Sequence, residues 1–227
     1  VHAMWAAEIT GRLNAHWLGP KFTAGPRTTV AGHSEIDIAT YEREIPASHA
    51  AAGTTNGTPL AAIASWTASA PLLSHAVEFP SLTEVQIVKA DEGIIVAAIE
   101  IISPRNKDRP EAREAFVGKC LDYIGQGVCV VIIDVVTTLR ANLQVQLAKQ
   151  LGISPSQFDT LQSSPLYSAT FRPTERDGQS TVDVWSELCL IGSTLPTMPM
   201  RLTGDTFVPV EFELTYQEAC RRLKVCV

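Results

Sequence analysis

The sequence lacks any long apolar run. No stretch approaches the roughly 18 to 20 consecutive apolar residues that a membrane-spanning helix needs. Of the 227 residues, 45% are hydrophobic and 19% are charged, a composition typical of soluble globular proteins. No charged-then-apolar signal segment follows Val1. We therefore expect a protein without a membrane partner, and this length suits one large domain or two small ones.

The cysteines and histidines lack the spacings of metal sites and disulfide frameworks. The five cysteines include no CxxC pair and are odd in number, and the five histidines show no HxxxH spacing. Neither a zinc site nor a disulfide framework is supported by these spacings. Cys120, Cys129 and Cys189 stand in apolar surroundings, as buried thiols of a reducing compartment do. We therefore expect a cytoplasmic protein.

Positive charge is scarce. The chain has 24 acidic and 18 basic residues, for a net charge of −6. This balance argues against avid, non-specific nucleic-acid binding and leaves room only for a local basic groove. The candidate segment for such a groove is RNKDRPEAR at 105–113, in which acidic residues stand among the basic ones. This mixture of charges predicts a solvated loop, with a phosphate-contacting loop as the alternative. There is no Gly-rich phosphate loop and no GxSxG nucleophile elbow.

The apolar residues follow the spacings of both helices and strands, and their order predicts an α/β protein with a mixed sheet. Residues 94–136 predict strand, helix and strand, because Pro110 suits a first helical turn and VCVVIIDVV at 128–136 is typical of a central strand. The turn ADEG predicts a hairpin from strands 85–89 and 93–102. The other predicted helices cover 3–17, 141–151 and 215–223. The other predicted strands cover 35–42, 166–172, 180–186 and 207–213. The Pro-marked LPTMPM at 195–200 predicts a connection, and 47–58 a loop.

A single glutamate interrupts the apolar run IIVAAIEIISP at 94–104. A buried carboxylate without a partner costs several kcal/mol or takes up a proton, so Glu100 needs a cation, a metal or access to water. One interpretation pairs it with Lys119 or Arg105 as a structural carboxylate. Asp134, within the central strand, is interpreted as a strand-end residue that caps a turn.

A second interpretation of the same carboxylate is a site for a hard cation. Asp37 lies between two isoleucines of the predicted strand 35–42, and Lys119 and Tyr123 share one face of the predicted helix. Two carboxylates on neighbouring strands with a lysine nearby suit Mg²⁺ or Mn²⁺ and the stabilisation of charge on a phosphoryl oxygen. The simpler interpretations are a solvent-facing Asp37 and a solvated Lys119.

The segment IEIISPRNKDRPEAREAFVGKCLDYIGQGVCVVIIDVV resembles a known bacterial core motif. It is similar to the domain-of-unknown-function family four-zero-five-eight and, more broadly, to Uma-type restriction-endonuclease-like proteins. The shared order is a Glu, an apolar pair and Ser-Pro, a charged loop, a Lys and a Tyr four residues apart, Gly-Val, and a strand that ends in Asp. In this chain the motif residues are Glu100, Ser103, Pro104, Lys119, Tyr123, Gly127, Val128 and Asp134.

The resemblance implies one domain over residues 1–227 with the PD-(D/E)xK fold, a mixed β-sheet flanked by helices. The family's upstream aspartate matches Asp37, so the resemblance implies that Asp37 and Glu100 hold Mg²⁺ or Mn²⁺. In the same comparison Lys119 would assist catalysis, Tyr123 would position it, and nucleic acid is the candidate partner.

The chain departs from that family pattern at two positions. Ile102 stands where such enzymes commonly have a lysine, and Ile36 stands where they have a proline. Either Lys119 or Lys107 could take the lysine's role. Two hypotheses follow: a metal-dependent nuclease or phosphodiesterase, and a non-catalytic binding or structural module that keeps the scaffold.

Overall fold

The structure is a computed structural model that describes residues 1–26, 38–42, 67–76, 94–154 and 164–225. Five helices and nine strands lie in these ranges. The helices are α1 (His2–His16), α2 (Pro104–Lys107), α3 (Pro110–Gly125), α4 (Leu143–Gln150) and α5 (Phe212–Leu223). The strands are β1 (Phe22–Pro26), β2 (Ile38–Glu42), β3 (Leu73–Ala76), β4 (Ile94–Ile101), β5 (Cys129–Asp134), β6 (Tyr167–Arg176), β7 (Gln179–Leu188), β8 (Thr197–Arg201) and β9 (Phe207–Glu211).

Seven strands form one mixed sheet in the order β1-β2-β4-β5-β6-β7-β3, and β8 pairs with β9 in a separate two-stranded sheet. Only the β4–β5 pair is parallel among these ladders, and α3 lies between the two strands in the chain. The predicted mixed α/β sheet and its strand–helix–strand unit are therefore confirmed. None of the helices in the described ranges is both long and apolar enough to span a bilayer.

Both faces of the large sheet are covered, which explains the near-continuous apolarity of β5. Alternate residues point to opposite faces of a strand. Ala98, Val130 and Ile132 pack with α3 and α4, whereas Ile99 and Val131 pack with α1, α5 and the β8–β9 pair. All six residues of β5 are buried. A strand buried on both faces has no polar side to alternate with its apolar one.

The charged stretch after β4 is partly helical rather than a simple loop. Ser103 and Asn106 form a capping box, and Pro104 occupies the first turn, so the short helix α2 begins directly after the strand. The second helix of the stretch begins at Pro110, as predicted, and ends at Gly125. The crossover from β4 to β5 thus contains two helices.

The prediction that LPTMPM is a connection was wrong, because its last four residues, 197–200, lie in strand β8. Met198 and Met200 are buried against the layer of α1 and α5. Pro199 lies opposite Pro209 in the β8–β9 ladder. Neither proline has an N–H to exchange, which suits a non-hydrogen-bonded position of an antiparallel pair. The two prolines therefore fit the strand rather than end it.

Other predictions were confirmed, corrected or left outside the described residues. The predicted strands 166–172 and 180–186 are present as parts of β6 and β7. The turn between them has Asp177 at φ 53° and Gly178 at φ 73°, the left-handed pair that a two-residue hairpin turn favours. Strand 85–89 of the predicted hairpin and the loop 47–58 lie outside the described residues. Cys120, Cys129 and Cys189 are free thiols, as expected. Cys220 is disulfide-bonded, although the spacing of the cysteines supported no disulfide framework.

The edge strand β1 is covered by a side chain of α1. Asn14 Nδ2 donates to the carbonyl oxygen of Ala24, and the Ala24 amide donates to Asn14 Oδ1, both at 2.9 Å. Ala24 is only 3% exposed, so its backbone groups have little access to water. The amide side chain therefore replaces one residue of a neighbouring strand at this edge.

We predict that Asn14→Ala lowers the free energy of unfolding by about 1–3 kcal/mol, because two buried backbone groups lose their partner. Urea denaturation would measure the change. Gln217→Ala is the matched control, since its amide bonds Glu213 on the exposed face of α5. Equal midpoints for the two variants would contradict the capping role of Asn14.

Candidate functional site

Glu100 lies near the carboxyl end of β4 and points to the sheet face that α3 covers. It shares this face with Ala98 and Ile102, which pack in the same core cluster as α3. In the parallel ladder it stands opposite Ile132 of β5. Glu100 is only 2% exposed, so its charge is almost entirely removed from water.

Lys119 reaches Glu100 from the middle of α3. Its Nζ donates to Glu100 Oε2 at 2.7 Å, and it lies 5.4 Å from the centroid of the Phe116 ring. The helix turns Phe116, Cys120 and Tyr123 toward the sheet, and this rotation places Lys119 over the strand as well. The interpretation of Lys119 as a solvated residue was wrong, and the pairing of Glu100 with Lys119 is confirmed.

A second ion pair lies on the same face, at the end of β5. Lys107 Nζ donates to Asp134 Oδ2 at 2.8 Å, and both side chains have no exposed surface. The backbone amide of Val136 donates to Asp134 Oδ1 at 3.0 Å, so Asp134 also caps the turn after the strand, as predicted. Burial raises the pKa of Asp134, and the hydrogen bonds from Lys107 and Val136 oppose this shift.

The buried position of Lys107 was not predicted. The pattern of 105–113 favoured a solvated loop, and Arg105 and Arg109 are indeed exposed. One signal for Lys107 was present in the sequence. Asp134 interrupts an apolar strand just as Glu100 does, so the same cost of burial required a second cation. The argument that gave Glu100 a partner applies equally to Asp134.

The two ion pairs show which acid each of the two candidate lysines contacts. Ile102 is a buried core residue, and its amide donates to the Ile133 carbonyl at 2.9 Å. Lys119 contacts Glu100, whereas Lys107 contacts Asp134. Of the two candidate lysines, Lys119 is therefore the one that contacts Glu100.

Asp37 lies outside the described residues. The structure does describe the strand that follows it, and Ile38 of β2 stands opposite Ile99, the residue before Glu100. Within the described ranges, no three histidine, cysteine or acidic side chains converge as a metal site. Glu100 supplies a hard oxygen donor of the kind that Mg²⁺ and Mn²⁺ bind, and the two-carboxylate site predicted from the sequence also requires Asp37.

Tyr123 and the groups near the pairs are core residues. Tyr123 lies one turn after Lys119 and is buried in the cluster between α3 and the sheet. Burial raises the pKa of Cys120, and the charge of Glu100 raises it further. Burial likewise raises the pKa of Tyr167, whose hydroxyl accepts a hydrogen bond from the backbone N–H of Gln144. A thiol and a phenol held neutral in this way are poor nucleophiles.

Comparisons of the chain with family models, with curated proteins and with solved structures give no match. The geometry of the site therefore carries the functional argument.

We predict strong coupling within the fully buried pair. Lys107→Met leaves Asp134 as an unpaired buried carboxylate, so we expect a loss of about 3–5 kcal/mol in the free energy of unfolding. Lys107→Met/Asp134→Asn removes both charges and should recover most of that loss. Urea denaturation of the wild type, both variants and Asp134→Asn gives a double-mutant cycle for the pair. Additive effects of the two single changes would contradict a direct pair.

The two perturbed carboxyls predict opposite dependences of stability on pH. Burial raises the pKa of Asp134, so its contribution is greatest below the ordinary aspartate pKa and declines as pH rises through the raised value. The Arg12 hydrogen bond lowers the pKa of Glu211, so that contribution is full above the ordinary glutamate pKa and is lost as pH falls. The unfolding free energy is measured for the wild type, Asp134→Asn and Glu211→Gln between pH 3 and 7, roughly the range around ordinary carboxyl pKa values. The difference between the wild type and Asp134→Asn should fall as pH rises, whereas the difference between the wild type and Glu211→Gln should increase. Parallel slopes would refute this assignment.

Proposed function

We propose that the protein is a metal-dependent phosphodiester hydrolase on a restriction-endonuclease-like scaffold. In this proposal Glu100 and Asp37 hold Mg²⁺ or Mn²⁺, Lys119 assists, and Tyr123 holds the helix face that presents Lys119. The observation that carries it is the 2.7 Å contact between Lys119 Nζ and Glu100 Oε2 at the carboxyl end of β4. A bound divalent ion would supply charge stabilisation at a phosphoryl oxygen and an activated water.

The location of the pair supports this proposal. In open α/β sheets, ligands bind near the carboxyl ends of parallel strands. Glu100 and Asp134 both lie at the carboxyl ends of the parallel strands β4 and β5. The neighbouring strand β2 begins its described ladder with Ile38 opposite Ile99, the residue before Glu100.

Lys119 has two roles in the proposal. Without a metal its ammonium neutralises the buried Glu100 carboxylate. With a divalent ion beside Glu100, repulsion between like charges would disfavour the ammonium at its present position, and Lys119 would then be available to a phosphoryl oxygen of the substrate. The exposed Arg105 and Arg109, at the start of the crossover, fit a phosphate backbone, so nucleic acid is the proposed substrate class.

The second candidate function is a non-catalytic binding or structural module. The observation that favours it is that lysines already neutralise both buried carboxylates on this face. A buried ion pair of this kind can serve the fold alone. Ile102, in place of the family's lysine, is consistent with lost chemistry.

We predict that wild-type protein binds Mn²⁺ saturably in calorimetric titration and that Glu100→Gln abolishes the binding. Asp37→Asn should weaken it at least tenfold, which corresponds to about 1.4 kcal/mol. Lys119→Met should bind Mn²⁺ more tightly than the wild type, because the competing ammonium is gone. The control Glu213→Gln removes an acid from α5, on the opposite face, and should leave the binding unchanged.

Unpaired charges could unfold the single variants, so the neutral pair Glu100→Gln/Lys119→Met provides the folded reference. If it keeps the wild-type circular dichroism and loses Mn²⁺ binding, the loss belongs to the site. Wild-type protein that binds no Mn²⁺ would reject the hydrolase and leave the non-catalytic module. Binding that survives in every Glu100 variant would place the metal elsewhere.

A further inference from the structure

The Lys107–Asp134 pair forms a fixed point at the end of β5. Asp134 is held by the Val136 amide at 3.0 Å and by Lys107 Nζ at 2.8 Å, and neither side chain of the pair is exposed. The Pro165 carbonyl lies 3.5 Å from the same Nζ. Because these contacts converge within the core, the backbone at Lys107 has little freedom to move relative to the sheet.

The chain is tied to this fixed point on both sides of Lys107. Before it, the Ile102 amide donates to the Ile133 carbonyl at 2.9 Å. After it, Arg113 Nη1 in α3 donates to the Lys107 carbonyl at 3.1 Å. The start of α3 is therefore attached to the end of β5 through Lys107.

A shift at the start of α3 moves Lys119. Arg113 and Lys119 are separated by six residues, or about 9 Å along the helix axis. The ion pair with Glu100 has a separation of 2.7 Å, and the helix between the two residues is continuous. A displacement of about an ångström at the helix start would lengthen that contact beyond hydrogen-bond distance.

We propose that Lys107 and Asp134 are positioning residues that hold Lys119 on Glu100 through α3. The role of Lys119 in chemistry rests on the proposed function, whereas its position relative to Glu100 can be measured by itself. Lys107 thus contributes to the candidate site without contacting its carboxylate.

The test measures the reactivity of the Lys119 amine in the folded protein. Reductive methylation followed by mass spectrometry gives its rate, with the exposed Lys149 as internal reference. In Lys107→Met/Asp134→Asn we expect Lys119 to react several-fold faster than in the wild type. The buried thiol of Cys129 in β5, labelled in parallel, should stay protected, because the sheet remains folded.

Two further variants sharpen the test. Arg113→Met removes the hydrogen bond to the Lys107 carbonyl without leaving a buried charge. It should accelerate the methylation of Lys119 less than Lys107→Met/Asp134→Asn does. Arg12→Met/Glu211→Gln removes an ion pair between α1 and β9, on the other side of the sheet, and should leave the Lys119 rate unchanged.

An unchanged Lys119 rate in both Lys107→Met/Asp134→Asn and Arg113→Met would overturn the positioning role. An equal increase in the methylation rate of Lys119 and the labelling rate of Cys129 would also overturn it, because the variant would then be unfolding as a whole. A faster Lys119 reaction in a protein whose wild type binds no Mn²⁺ would support positioning and reject the hydrolase. Mn²⁺ binding together with unchanged Lys119 reaction rates would support the proposed metal site and reject the positioning role.

Discussion

The neutralisation of carboxylates within the sheet is the constraint on which the rest of the structure depends. β4 and β5 each carry one acid on the face that α3 and α4 cover. An unpaired buried charge costs several kcal/mol, so each acid requires a cation within the core. Lys119 meets Glu100, and Lys107 meets Asp134. Both lysines belong to the crossover between the two strands, so charge as well as apolar packing sets the position of α2 and α3.

The two pairs differ in their access to solvent, and this difference separates their roles. Lys119 retains 9% exposure of its side chain, whereas Lys107 and Asp134 have none. An ion that approaches from water therefore reaches the Glu100 pair more readily than the Asp134 pair. We accordingly place the proposed metal chemistry at Glu100 and the positioning role at Lys107.

Local patterns in the sequence predicted the elements well where one face was polar or where a strand was wholly apolar. The helix from Pro110 and the central strand β5 both follow from such patterns. The prediction for LPTMPM failed because a proline in the sequence usually indicates the end of a strand, whereas here two prolines lie opposite each other in one ladder. The pairing of Pro199 with Pro209 exists only after the chain has folded back on itself.

The sequence by itself determined that Glu100 needs a cation, a metal or access to water, because it interrupts a run of apolar residues. The same argument applies to Asp134, which was interpreted from the sequence only as the cap of a turn. The sequence did not determine which cation each acid would receive. Arg105, Lys107 and Lys119 all follow Glu100 within one crossover, and their spacing along the chain does not rank them. The turn of α2 and the rotation of α3 on the sheet made that choice. Pairing requires two charged groups to meet at about 3 Å in one orientation, and only the tertiary structure sets such distances.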